Sequence, residues 1–234
     1  MTMQASSAWP EAARVPGQHV PGRIYGAVVG IVSNNVDPEG MGRVKVHFPW
    51  LSTEDESGWA RIATPMAGDN RGVWMLPEVG DEVLVMFAHG NIDQPYVIGA
   101  LWNGVDAPPD NNDDGLNSRR VIRSRSGHTL TFDDTEGAET ITISDVTQKN
   151  RIVIDASQDT ITIESAGRMN LSAAQGIDLK SDGEVAIDCE KFSVSAKTSY
   201  DVQAKGSGSL SAESGLDIEC MTGVRINKGA LEVT

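Results

Sequence analysis

Few residues of this chain are of a kind and spacing to do chemistry. Four histidines, His19, His47, His89 and His128, are scattered, and none stands in a metal-ligand pattern such as H-x-H or H-E-x-x-H. The densest titratable cluster is "SGHTLTFDDTEG", which sets His128 near Asp133, Asp134 and Glu136 and invites a hydrolase or a calcium site. Asp and Gly are also what a tight turn requires, so the stretch reads as a strand followed by a "DDTEG" turn. Cys189 and Cys220 have no neighbouring His or base to activate a thiol, and two cysteines make no disulfide framework. No nucleophile elbow, phosphate loop or zinc motif is present. The expectation is therefore no catalytic, cofactor-binding or metal residue, no cofactor, and no enzyme.

Charge narrows the partners. With 19 Lys+Arg against 33 Asp+Glu the formal charge is −14, which disfavours attachment to nucleic acid through phosphate neutralisation and equally to an anionic membrane. No apolar run approaches the length of a spanning helix. The N-terminus "MTMQASSAWPEAARVPGQHVPG" has neither the basic nor the apolar part of a secretory signal. Synthesis in the cytoplasm is expected.

Composition divides the chain. All ten prolines lie at or before Pro109 and all five tryptophans at or before Trp102. Between the two regions sits "NGVDAPPDNNDDGLNS", a Pro/Asp/Asn/Gly cluster that reads as a linker. Upstream of it, "RVKVHF" puts Val44, Val46 and Phe48 on one face, the period of a half-buried strand. "YGAVVGIV" and "RVKVHF" should pair as a hairpin across "NNVDPEGMG", and "DEVLVMF" and "PYVIGAL" as another across "AHGNIDQ". About five short strands in this space suit an OB-type barrel. Such barrels often bind oligonucleotides or sugars, but Trp50, Trp59, Trp74 and Trp102 have few cationic neighbours in sequence, so they read as core or subunit-contact residues.

The second region repeats. Ile163, Leu171, Leu179, Ile187, Val194, Val202, Leu210, Ile218 and Ile226 recur every eight residues, with one step of seven between Ile187 and Val194. Two residues before each stands another large apolar side chain, Gly208 excepted. Two after the first eight stands a small one, Cys189 and Cys220 included. Each octad is thus a short strand closed by a turn, and a fixed period marks a repeat architecture. One chain could wind it as a β-solenoid, three octads per coil, with a thin core. Three chains could instead share an axis, each filling the interior with its large slots. Burying one Ile or Leu contributes roughly 1.5–3 kcal/mol, and only the three-chain arrangement buries them all. The two cysteines lie four octads apart, about 19 Å at ~4.8 Å per strand, too far for a bridge within the chain.

"DPEGMGRVKVHFPW" (Asp37–Trp50), "PEVGDEVLVMF" (Pro77–Phe87) and "GNIDQPYVIGALWNG" (Gly90–Gly104) resemble, in order, the OB domain of contractile-tail spike proteins, the VgrG-like and phage baseplate assembly protein V family. "RVIRSRSGHTLTFDDTEGAETITI" is similar to the neck that follows it in VgrG-like spikes. The resemblance implies an all-β chain: an N-terminal OB barrel followed by an intertwined homotrimeric β-helix, a triangular prism. The expected division is tail 1–22, barrel 23–104, linker 105–118, neck 119–145 and needle 146–234. The nine octad anchors, Ile163 to Ile226, would form the trimer core. The implied function is the central spike of a phage tail, tailocin, type VI-like or extracellular particle. Made in a bacterial cytoplasm and built into a baseplate, it would pierce a target envelope mechanically, touching the membrane only on penetration. The expected partners are two further copies, a separate hub protein at the N-terminal end and a PAAR-like tip protein against Leu231 and Val233, with no nucleic acid. Some protein V spikes hold iron through a C-terminal His-x-His, whereas "MTGVRINKGALEVT" has no His. The rival expectation is a monomeric β-solenoid polysaccharide depolymerase with an OB carbohydrate-binding module. It needs carboxylates clustered on one face, whereas Glu164, Asp178, Asp188, Asp201, Asp217 and Glu219 are spread along the chain.

Overall fold

The computed structural model describes residues 22–52 and 54–223. Residues 1–21 of the expected tail, and Ile226, Leu231 and Val233, lie outside them. No α-helix occurs among the described residues, and no helix there is long and apolar enough to cross a membrane. The chain divides into two units that meet between Asn170 and Leu171.

Five strands of the first unit make the barrel sheet: β1 (Val28–Asn34), β2 (Lys45–His47), β3 (Arg61–Ile62), β6 (Glu82–Phe87) and β7 (Pro95–Ala100), in the order β2-β1-β6-β7-β3. Both expected hairpins form, since β1 pairs antiparallel with β2 and β6 with β7. β3 joins β7 in parallel. A small arm, β4 (Ala67–Gly68) with β5 (Arg71–Gly72), stands between β3 and β6 in sequence. Alternation puts Val32, Val44, Val46, Val83, Val85 and Val97 in the core with Phe48, Phe87 and Ala60. The rings of Phe48 and Phe87 are 5.6 Å apart. Gly30 is required there: a Cβ on it would lie 2.3 Å from Val46 Cγ1.

The loop from β1 to β2 is locked by one carboxylate. Asp37, its side chain only 3% exposed, accepts from the backbone N–H of Glu39, Met41 and Arg43 and takes the Arg43 guanidinium at 2.9 and 2.7 Å. Gly42, at φ +70°, tucks beneath the Trp74 ring, where a Cβ would come within 2.6 Å. The expected linker is folded in the same way. Asn103 Oδ1 accepts from the N–H of Val105 and Asp106, Asn112 Oδ1 from that of Asn117, and Asp110 pairs with Arg119 at 2.8 Å.

Beyond it, β8 (Arg119–Arg123), β9 (Thr129–Asp133), β10 (Thr140–Ser144), β11 (Arg151–Asp155) and β12 (Thr160–Glu164) form an antiparallel meander. The boundary expected between neck and needle, 145/146, falls inside this sheet, which runs on through the anchor Ile163. In the second unit the backbone bends at residues 174–175, 182–183, 190, 197–198, 205–206, 213–214 and 221–222. This is the octad period with its single short step, where the turn holds only Glu190 and Lys191 between the small slot Cys189 and the next apolar pair. Among the described residues of this unit no strand pairing is present and every residue is exposed. The strands expected over the octads are thus not formed among the described residues of this unit.

Candidate functional site: an apolar ladder

Cross-strand register builds the site in the meander. Ile122, Leu130, Ile143, Ile152 and Ile163 stand opposite one another in one row, and Arg120, Phe132, Ile141, Ile154 and Ile161 in the next. Apart from Arg120 that entire face is apolar, and all but Leu130 of its large apolar side chains are exposed. The reverse face carries the row Val121, Thr131, Thr142, Val153 and Thr162, the more polar of the two.

The same apolar-x-apolar pair continues through the second unit. Pairs at 130/132, 141/143, 152/154 and 161/163 are followed by 169/171, 177/179 and onward in octads. In the meander the strands are joined by six residues after β9 and β10 and by four after β11, enough to double back. After β12 the step shortens to eight and intrachain pairing stops. Leu179 is 75% exposed and Val202 89%. Backbone N–H and C=O groups beside buried apolar side chains must find partners, so whatever covers these side chains must also supply strand edges.

The acidic cluster finds a different role. His128 precedes β9 while Asp133, Asp134 and Glu136 follow from its end, so the strand separates them. Asp133 accepts from the Thr135 hydroxyl and N–H, which hold its carboxyl below the usual range. Asp134 pairs with Arg120 at 2.7 Å. The same device closes the next two turns: Asp145 takes the Thr147 hydroxyl and the Asn150 amide, and Asp155 takes the Ser157 hydroxyl. Their carboxyls are likewise lowered, Asp145 chiefly by Asn150 and Asp155 by Ser157. These carboxylates are turn-builders, an assignment the spacing Asp-x-Thr/Ser announces. No group of three or more potential metal ligands occurs among the described residues.

The tryptophans correct half of the expectation that they are core or subunit-contact residues. None of Trp50, Trp59, Trp74 and Trp102 lies in the core: Trp74 is 73% and Trp102 68% exposed. Trp59 does have cationic neighbours, Arg43 and Lys45, 5.8 and 5.6 Å from its ring. They come from across the fold, which neighbours in sequence did not reveal. Both cations are neutralised, Arg43 by Asp37 and Lys45 by Glu56 at 3.0 Å, so the strip offers little to a phosphate backbone. Of the octad anchors, Ile163 lies in the meander's apolar row, and Leu171 to Ile218 are exposed in the second unit.

Residues 28–102 match the family model described as the type VI secretion system/phage-baseplate injector OB domain. The chain is 34% identical over 130 residues to the type VI secretion system spike protein VgrG3 of Vibrio cholerae, covering 52% of this chain and 13% of that protein. It is 31% identical over 170 residues to the type VI secretion system spike protein VgrG1a of Pseudomonas aeruginosa, covering 66% and 26%. It is also 31% identical over 135 residues to a V. cholerae protein named actin cross-linking toxin VgrG1, covering 54% and 12%. The chain thus spans about an eighth to a quarter of the length of these relatives. Residues 28–102 thus carry the injector OB domain, and the chain is similar to VgrG-like spike proteins.

Proposed function

We propose that this chain is the central spike of a contractile injection system and that it works as an intertwined homotrimer. The observation that carries this is the uncovered apolar ladder. From Ile122 to Ile218 it repeats one strand unit that has exposed apolar side chains, and beyond β12 it has no backbone partner among the described residues. Two further copies supply both what the side chains and what the backbone need, in matching period. Ile163, Leu171, Leu179, Ile187, Val194, Val202, Leu210 and Ile218 line the interior in this reading, with Ile226 continuing the row. The named spike relatives and the injector OB domain support the same role. A single-chain solenoid would pair each octad with the one three further on, and no such pairing occurs among the described residues.

The work of the spike is mechanical, because three chains hydrogen-bonded along one axis resist bending and no single chain peels away at low cost. Its barrels seat on a hub protein, and a PAAR-like protein caps the far end at Leu231 and Val233. Particles supplied with a chain ending at Asn170 should contract yet leave the target envelope intact. Full piercing by that truncated chain would overturn the proposal. A chain lacking residues 228–234 should stay trimeric but lose the tip protein in a pull-down.

A further inference from the structure

Along the octads the large slots recur almost unchanged, Gly208 apart. A chain displaced by one octad, or a different chain of the same period, would bury nearly the same apolar side chains, so burial alone discriminates poorly between partners. The repeat is broken at one place. Between the small slot of one octad and the first large slot of the next stand three residues at 166–168, 174–176 and 182–184, and again at 197–199, 205–207, 213–215 and 221–223. Between Cys189 and Phe192 stand only Glu190 and Lys191. The backbone follows: bends start at 174, 182 and 190, then seven residues on at 197, then at 205, 213 and 221. The bend at Glu190 takes one residue, the others two.

We infer that this short step selects which chains can share one needle: only chains with a two-residue turn at the same place along the repeat assemble together. The inference rests on the trimeric spike reading. Around a shared axis each strand lies against strands of the other two copies. A turn one residue shorter in one chain advances its next strand by one residue against neighbours whose turn is full. Such an advance carries every large slot of that strand to the opposite face, unless the neighbour bulges to take up the extra residue. Three copies with coincident short steps advance together and keep their large slots inside. The meander cannot make this selection, because β8 to β12 pair within one chain and read no neighbour. A displaced step puts at least one large side chain outside, which biases against mixed assembly by about tenfold.

The test is co-expression of two 234-residue chains bearing different affinity tags, then capture on both tags in turn and light scattering. A shifted chain has one glycine inserted after Glu190 and Thr198 deleted, which moves the short step one octad on and leaves the length unchanged. Alone, it should give three chain masses. Two unaltered chains should mix at random. So should an unaltered chain and one with Glu190→Ala and Lys191→Ala, because the length of the turn sets the match and its side chains do not. Unaltered and shifted chains should form mixed trimers about tenfold less often. If those two mix at random, if the alanine variant is excluded, or if the shifted chain forms no trimer with itself, the selection by turn length is overturned and the spike reading stands. A one-chain mass from the unaltered chain would contradict both.

Discussion

At the scale of single residues, Asp37 does the most local work. It satisfies three backbone N–H groups and a guanidinium at once, and Arg43 with these N–H donors holds its carboxyl well below the usual carboxylate range. A carboxyl lowered in the folded state stabilises the fold fully above its ordinary pKa of about 4 and loses that contribution as pH falls below it, because the unfolded chain takes up the proton first. Asp37→Asn should lower the barrel's unfolding midpoint at neutral pH and flatten its fall between pH 5 and pH 2, read by tryptophan fluorescence. An unchanged acid slope would mean the carboxylate is not the lock. A second contrast lies one residue apart in the octads. Ile187→Asp would bring three unpaired carboxylates into the interior, a loss of roughly 3–5 kcal/mol per uncompensated charge, whereas Asp188→Ala on the outer side should be nearly silent. Equal melting of the two variants would contradict the assigned alternation.

At the scale of elements, the meander offers the sharpest contrast, since neighbouring positions of β10 look to opposite faces. In one chain alone Ile143 is exposed and charging it would matter little. If copies cover the ladder, Ile143→Lys should depress the thermal midpoint strongly and Thr142→Lys by far less, as surface changes usually stay within about 0.5 kcal/mol. Similar shifts would mean that the apolar face has no partner. The barrel hairpins were legible in sequence because Asp-Pro, Gly and Asn mark their turns and strict alternation marks their strands. The extent of the meander was harder to read. The pair Ile161/Ile163 fits the octad series, yet it closes an antiparallel sheet, because the turn before it has four residues and the strand before that is within reach. The Asp37–Arg43 lock and the cations beside Trp59 escaped sequence reading for one reason. Each depends on how a loop or a neighbouring strand folds back, which residue spacing alone does not encode. Of the three Asp-x-Thr/Ser turns only "DDTEG" was read from the sequence, and its repetition at Asp145 and Asp155 in the fold separates it from a carboxylate site.

At the scale of the whole molecule, the barrel owns a closed valine and phenylalanine core and the ladder owns none. Octads of two large slots and one small slot, bent every eight residues and unpaired among the described residues, leave their apolar side chains exposed. In the proposed spike that surface forms the interior of a stiff rod. The central claim is that three chains share one interior, and the mass of the purified 234-residue chain in solution tests it most directly. Light scattering after size exclusion should return three times the chain mass of 25.0 kDa, unchanged on dilution through the micromolar range. A single chain mass at micromolar concentration would contradict both the trimeric ladder and the spike built on it.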